Sequence, residues 1–349
     1  MLILKVMRNF LCLKSARIFD RGKGDPRMIG ELLKGERVVL LDVGVRGGVH
    51  SRWQRVQGLI DIVGFEADES ECARLNEEAK CSSVNVRYLP FALGKNRERG
   101  VKFYICKSPG NSSLYEPNRK FIEDFPYSEE MTAVASAQVD LTTLDDVCRI
   151  EELRPDCLKI DTQGSELDIL LGGLNILNRS KFVELEVEFN SQYLNQPIFS
   201  DVDKFMRQND FVLLGLRRSS WRRAARFPKN RTPFGGQIMH GDAIYYKGTL
   251  LTQPEAWSFV DLLKFLLILS AYRQDDFVVY LLSSPHRALV ALCEGERLAL
   301  ARELTNESKW FVNAVAKLLP LIVDHTVLRG IVDRFKNPGE TDWHDPDYF

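Results

Sequence analysis

No Cys-x-x-Cys pair occurs in this chain. Its seven cysteines are odd in number and scattered, so neither a zinc site nor a disulfide framework reads out of them. Reduced thiols in a cytoplasmic protein are the simpler account. Excess charge is missing too: the formal net charge is -1, which gives no global pull toward nucleic acid or an anionic membrane. No apolar run is long enough to cross a bilayer. Residues 262–269 are interrupted by Lys264, and residues 1–13 carry Lys5 and Arg8 and lack the cleavage pattern of a signal peptide. The dinucleotide fingerprint Gly-x-Gly-x-x-Gly is absent, which argues against a nicotinamide-dependent oxidoreductase. Internal repeats are absent as well.

What is present is an ordinary globular composition, 45% hydrophobic and 27% charged, over 349 residues, enough for a large domain and a smaller one. Residues 1–30 read as an N-terminal arm with a short amphipathic helix. From 31 to 249, short β-type runs alternate with helical ones. Strands are expected at 38–41, 59–65, 84–93, 101–106, 133–139, 157–160, 182–189, 211–216 and 243–246, and helices near 51–57, 69–80, 165–171 and 201–208. That alternation specifies an α/β fold, a doubly wound and mostly parallel sheet covered on both faces. Residues 250–349 show helical periodicity and little strand signal, so an all-helical C-terminal appendage is expected there, with a homo-oligomer contact among its roles.

Three acids end strands in this pattern. Asp42 follows the first buried run and precedes Gly44, Gly47 and Gly48. Glycine allows a sharp turn and close approach of backbone to a ligand, and a strand–turn–helix unit delivers that ligand to the carboxyl edge of the sheet. A carboxylate beside the turn repels phosphate and suits a cation. S-adenosylmethionine, with its ammonium and sulfonium, is such a ligand. Glu66 ends the next strand, 24 residues after Asp42, where a carboxylate accepts hydrogen bonds from ribose hydroxyls. Asp161 ends a third strand just before Gly164, and Glu166 follows in a first helical turn, where the macrodipole favours negative charge. A strand-end acid is costly there unless it meets a cation or a donor.

These residues resemble the FkbM-type methyltransferase family. The likeness is carried by Leu41-Asp42-Val43-Gly44 with Gly47-Gly48, by Gly64-Phe65-Glu66, and by Leu158-Lys159-Ile160-Asp161 with Gly164 and Glu166. Asn111-Ser112-Ser113-Leu114, Thr143-Leu144-Asp145-Asp146, the run from Glu184 to Pro197 and Gly241-Asp242-Ala243-Ile244-Tyr245 fit the same pattern, over residues 38–247. The resemblance implies the class I methyltransferase (Rossmann-like) fold, a seven-stranded sheet with an antiparallel final strand. It implies S-adenosylmethionine as cofactor and transfer to a hydroxyl oxygen of a sugar, glycan or other small molecule. By position it implies that Asp42, Gly44 and Gly47 hold the methionine part, that Glu66 binds the ribose, that Ala92 lies by the adenine, and that Asp161 sits near the transferred methyl. Arg46 departs from the small or polar residue common in the family.

A hydroxyl acceptor benefits from a general base. The candidates are Asp161, Glu188, His50 and His240, with Asp161 first by position. Arg217, Arg218, Arg222, Arg223, Arg226, Lys229 and Arg231 crowd one loop around Trp221 and Phe227, a pattern that suits an anionic acceptor, RNA contact by arginine and aromatic stacking, or a solvated loop. Arg222, Arg223 and His240 are the substrate-binding candidates. Asp161 and Glu188 alone do not define a metal site, and none is assigned. A non-catalytic methyltransferase-like module, docking partners through its helical region, is the alternative from another class.

Overall fold

The computed structural model describes residues 27–223 and 236–305. Residues 1–26, the basic positions Arg226, Lys229 and Arg231, and the stretch beyond 305 lie outside the described residues. Chain contacts divide the protein into two compact units, one of residues 36–265 and one of residues 1–35 with 266–349.

The first of these holds two sheets. Its strands are β1 (Val38–Val43), β2 (Ile60–Phe65), β3 (Asn85–Leu89), β4 (Ala92–Leu93), β5 (Glu98–Cys106), β6 (Ala133–Thr142), β7 (Cys157–Ile160), β8 (Phe182–Glu188), β9 (Phe211–Trp221) and β10 (Gln237–Lys247). Seven form one sheet in the order β3-β2-β1-β7-β8-β10-β9. β1, β2, β3, β7 and β8 run parallel, and β10 enters antiparallel between β8 and β9. This is the class I methyltransferase sheet. β1 and β2 are buried on both faces, as their continuous apolar runs require. Leu41, Val43, Leu158, Ile160, Val183 and Leu185 pack against Ile169, Leu177, Val202 and Met206 from helices Glu166–Leu171, Leu174–Arg179 and Phe199–Gln208. On the other side helix Glu69–Ala79 sets Cys72 and Leu75 against Val45 and Tyr88.

Three local expectations are revised. Residues 84–93 are two strands in two sheets, because Pro90, with no N–H to donate, interrupts them. β9 and β10 are longer than their apolar cores suggest, since charged residues pair across them: Arg217 faces Asp242 and lies 2.9 Å from its carboxylate. Residues 51–59 form a 3-10 helix with a non-helical Val56, capped by His50, whose Nδ1 accepts the Arg52 N–H.

The small sheet, β4-β6-β5, brings Phe103 and the loop after β5 over the carboxyl end of the large one. In the second unit, the N–H groups of Met28 and Ile29 donate to the Glu303 carboxylate at 2.9 and 3.0 Å. Ser270 donates to the Leu304 carbonyl. The described residues 249–305 contain helices and no strand.

Candidate active site

A cavity of about 270 Å³ lies outside the carboxyl ends of β1, β2 and β7, where doubly wound sheets hold their ligands. Its walls run from Glu66, Ala67, Phe91, Ala92 and Leu93 at one end to Asp161, Gln163 and Glu186 at the other. Phe103, Pro109, Gly110, Ser112 and Leu114 also line it. A larger depression of about 400 Å³, lined by Val39, Asp61, Arg87 and Glu152, sits where the strands begin and lacks the strand-end acids.

Gly44 makes this edge possible. Its φ is +84, and a Cβ there would stand 1.9 Å from the Asp161 carbonyl oxygen. Only a residue without a side chain lets β1 turn this close to β7. At the first end, the Glu66 carboxylate accepts the Asp68 N–H at 2.9 Å through Oε1, and burial lifts its pKa. Arg46 also lines the cavity, and its guanidinium lies 3.6 Å from the Asp68 carboxylate. That pairing gives the unexpected cation a partner at the rim of the cavity.

At the second end, charges are set across the sheet. Asp42 stands opposite Lys159, and Lys159 opposite Glu184. Lys159 Nζ lies 3.4 Å from both Asp42 and Asp161, and Arg52 reaches Glu184 at 3.3 Å. Burial depresses Lys159, yet Asp42, Asp161 and Glu184 together hold its pKa above the ordinary value. Asp42 is pushed up to about 6 by burial, in spite of Lys159. Burial also works against an ionised Asp161, but Lys159, Glu186 and Gln163 hold it below the usual carboxylate range. Glu186 is raised well above that range by burial and by Asp161. Glu166, lifted to about 7 by burial, accepts the N–H groups of Thr162 and Gly164 and so shapes the turn after β7.

Gly44, Glu66, Ala92 and Asp161 therefore meet around one cavity, and the other candidates do not line it. Asp42 is buried beneath it on Lys159. Gly47, at φ +87, donates its N–H to Glu71. His50 caps the 3-10 helix, and burial with Arg52 lowers its pKa. Glu188 is buried and raised well above the usual range by that burial and by Glu166 and Asp161. His240 meets Trp221 edge-on at 5.9 Å. Arg223 donates to Gln237 and lies over the Phe125 ring, and Arg222 is exposed at the end of β9. Among the described residues no three His, Cys, Asp or Glu side chains group as a metal-ligand set.

Glu186 and Gln163 are the residues sequence reasoning passed over. Pairing of Ile160 with Leu185 puts Glu186 level with Asp161, so aligning the strand starts, Cys157 on Phe182, would have found it. Glu184, Glu186 and Glu188 share one strand face, but only Glu186 reaches the cavity.

The buried acids set a pH dependence. Burial keeps His50 and His240 neutral in the fold, and from about pH 7.5 upward an unfolded imidazole is mostly neutral too. Glu166, Glu186 and Glu188 keep protons in the fold that the unfolded chain gives up, so stability falls as pH rises through their folded values, the lowest near 7. The urea midpoint of the ligand-free protein is expected to be lower at pH 8.5 than at pH 7.5; an equal or higher midpoint would contradict this.

Comparison with known proteins adds a domain match and several likenesses. The chain is 24% identical over 175 residues to the 2-O-methyltransferase NoeI of Sinorhizobium fredii (strain NBRC 101917 / NGR234), covering 49% of this chain and 71% of that one. Magnesium protoporphyrin IX methyltransferase (ChlM) of Synechocystis PCC 6803, solved with bound SAM, is similar at 10% identity and TM-score 0.32, over 70% of this chain and 96% of that one. Precorrin-6y C5,15-methyltransferase of Geobacter metallireducens GS-15 is similar at 11% identity and TM-score 0.31, over 64% and 87%. Among the described residues no helix is long and apolar enough to cross a membrane. Residues 42–213 of this chain match the Methyltransferase FkbM domain.

Proposed function

We propose that the protein transfers a methyl group from S-adenosylmethionine to a hydroxyl oxygen of a sugar or another small molecule. The observation that carries this is one cavity with Glu66 at one end and an ionised Asp161 at the other. The residues suit the cofactor. Glu66 spends one carboxylate oxygen on Asp68 and has the other for a ribose hydroxyl. Phe91, Ala92 and Leu93 offer an apolar wall for a base, and the negative charge of Asp161 favours a cationic sulfonium. When bound, the cofactor supplies an activated methyl on a positively charged sulfur.

The chain's own residues do the rest. Asp161 accepts the proton of the attacking hydroxyl, with Lys159 keeping the carboxylate ionised until then. The walls hold the two reactants in line, the main contribution such a site makes. Similarity to a 2-O-methyltransferase supports oxygen as the acceptor atom. Arg222, Arg223 and His240, around Trp221, are proposed to meet the acceptor beyond the methyl, where the guanidinium groups suit an anionic one.

S-adenosylhomocysteine at a hundred times its Kd should stabilise the protein by about 2.7 kcal/mol, and NAD should not. Glu66→Ala is expected to weaken that binding by about tenfold, through the lost charge-assisted ribose hydrogen bond. Labelled methyl transfer from S-adenosylmethionine to a panel of saccharides and small alcohols then reads the activity. Stabilisation by NAD alone would sink the proposal.

A further inference from the structure

We propose that Gln163 is a positioning residue for methyl transfer, a bridge tying the 111–113 segment to the Asp161–Glu186 pair so that Asp161 is held toward the acceptor. This rests on Asp161 as the base of the proposed reaction.

Gln163 stands at φ +59, in the left-handed region. A side chain there costs about 1 kcal/mol or more, and such outliers gather where the surroundings use them. Glycine would sit at this position without strain, as Gly164 does next door at φ +105. The glutamine side chain is used at every polar atom. Nε2 donates to Asp161 Oδ1 at 3.2 Å and to Glu186 Oε2, and Oε1 lies 3.1 Å from the Tyr193 hydroxyl. The amide orientation follows from chemistry, because an ionised Asp161 only accepts. The same Tyr193 hydroxyl is 3.0 Å from the Asn111 carbonyl, and the Ser113 hydroxyl donates to the Gln163 carbonyl at 2.7 Å. Ser113 and Tyr193 are both buried. Asn111, Ser113, Tyr193 and Gln163 thus form one connected support whose far end is the acid pair.

The support has an electrostatic consequence. Asp161 is faced by Lys159 on β7, Asp42 on β1, Glu186 and Glu188 on β8 and Glu166 on the following helix. Asp242 and His240 face it from β10. Against so many acids, Lys159 and the Gln163 amide are its donors, besides the proton it shares with Glu186. Removing the amide leaves the carboxylate one donor short and drives its titration upward.

The test uses the full-length, ligand-free protein with 13C-labelled carboxyl groups, titrated by NMR, the Asp161 signal being assigned by its loss in Asp161→Asn. In Gln163→Gly the Asp161 midpoint should rise by about one pH unit. Tyr193→Phe, which frees the Gln163 amide and the Asn111 carbonyl and leaves the φ of Gln163 as it is, should give a smaller rise. Gln163→Gly also relieves the left-handed strain, which offsets the lost hydrogen bonds, so its melting temperature should change little, and S-adenosylhomocysteine affinity should stay within about threefold, or about 0.7 kcal/mol. An unmoved midpoint in Gln163→Gly overturns the inference. A lowered melting temperature, or a loss of cofactor-analogue binding, with the midpoint unmoved assigns Gln163 to the fold or to the cofactor and overturns it equally. If the wild-type chain bound no S-adenosylhomocysteine, the methyltransferase reading would fall, while the titration would still decide the Gln163 bridge.

Discussion

Asp161→Asn should lower the rate of methyl transfer by about a hundred- to ten-thousand-fold while S-adenosylhomocysteine affinity changes little. The range is what a positioned general base contributes. Asparagine keeps the shape and an acceptor oxygen, so the Gln163 amide retains a partner, and Lys159 retains Asp42 at 3.4 Å. What is lost is the ability to take a proton. The acid limb of the wild-type profile should follow, since Asp161 must be ionised to act. Single-turnover rates with saturating cofactor isolate the effect from binding. A loss smaller than tenfold would mean that another group, or water, removes the proton.

The second large effect is on the scaffold. Gly44→Ala puts a methyl 1.9 Å from the Asp161 carbonyl oxygen and 2.8 Å from its carbon, both backbone atoms. No rotamer escapes this, and the strands cannot part freely because Val43 is paired with Ile160. Strain from the positive φ adds to the overlap. A destabilisation of about 3 kcal/mol or more is expected, together with loss of cofactor-analogue binding. Gly47→Ala is the control: its φ is +87, but nothing lies within 4 Å of the added methyl. It should cost only the left-handed penalty, about 1–2 kcal/mol. Comparable denaturant midpoints for the two variants would show that the close approach at Gly44 is not what holds this edge.

The sheet was legible because its central strands are apolar on both faces and its acids fall at strand ends; Asp42, Glu66 and Asp161 announce the carboxyl edge. Strand-end position did not reveal burial. Asp42 has the same sequence signature as Glu66, but the Lys159 opposite it is a partner that only the register of β1 on β7 brings there. Glu188 is the candidate the sequence offers on its strand, whereas the level of Asp161 is set by pairing between strands and falls at Glu186. His50 and His240 carry no local mark separating a cap or a ring contact from a base. The 103–114 segment was opaque for another reason: its place over the cavity depends on a second sheet made of strands far apart in the sequence. The match to the FkbM domain ends at 213, so β10 lies beyond it.

The position of β10 bears on how the chain assembles during synthesis. β10 lies between β8 and β9 yet follows both in the sequence. When the ribosome has made Trp221, β8 still presents an open edge and β9 has no neighbour in the sheet. An unpaired edge invites pairing with other chains, and domains emerge from the N-terminal side first. Every residue that lines the cavity has left the ribosome before the strand that completes the sheet arrives. The interval between Trp221 and Lys247 is therefore when a nascent chain is most open to aggregation, and when binding of small ligands to the already formed edge could protect it.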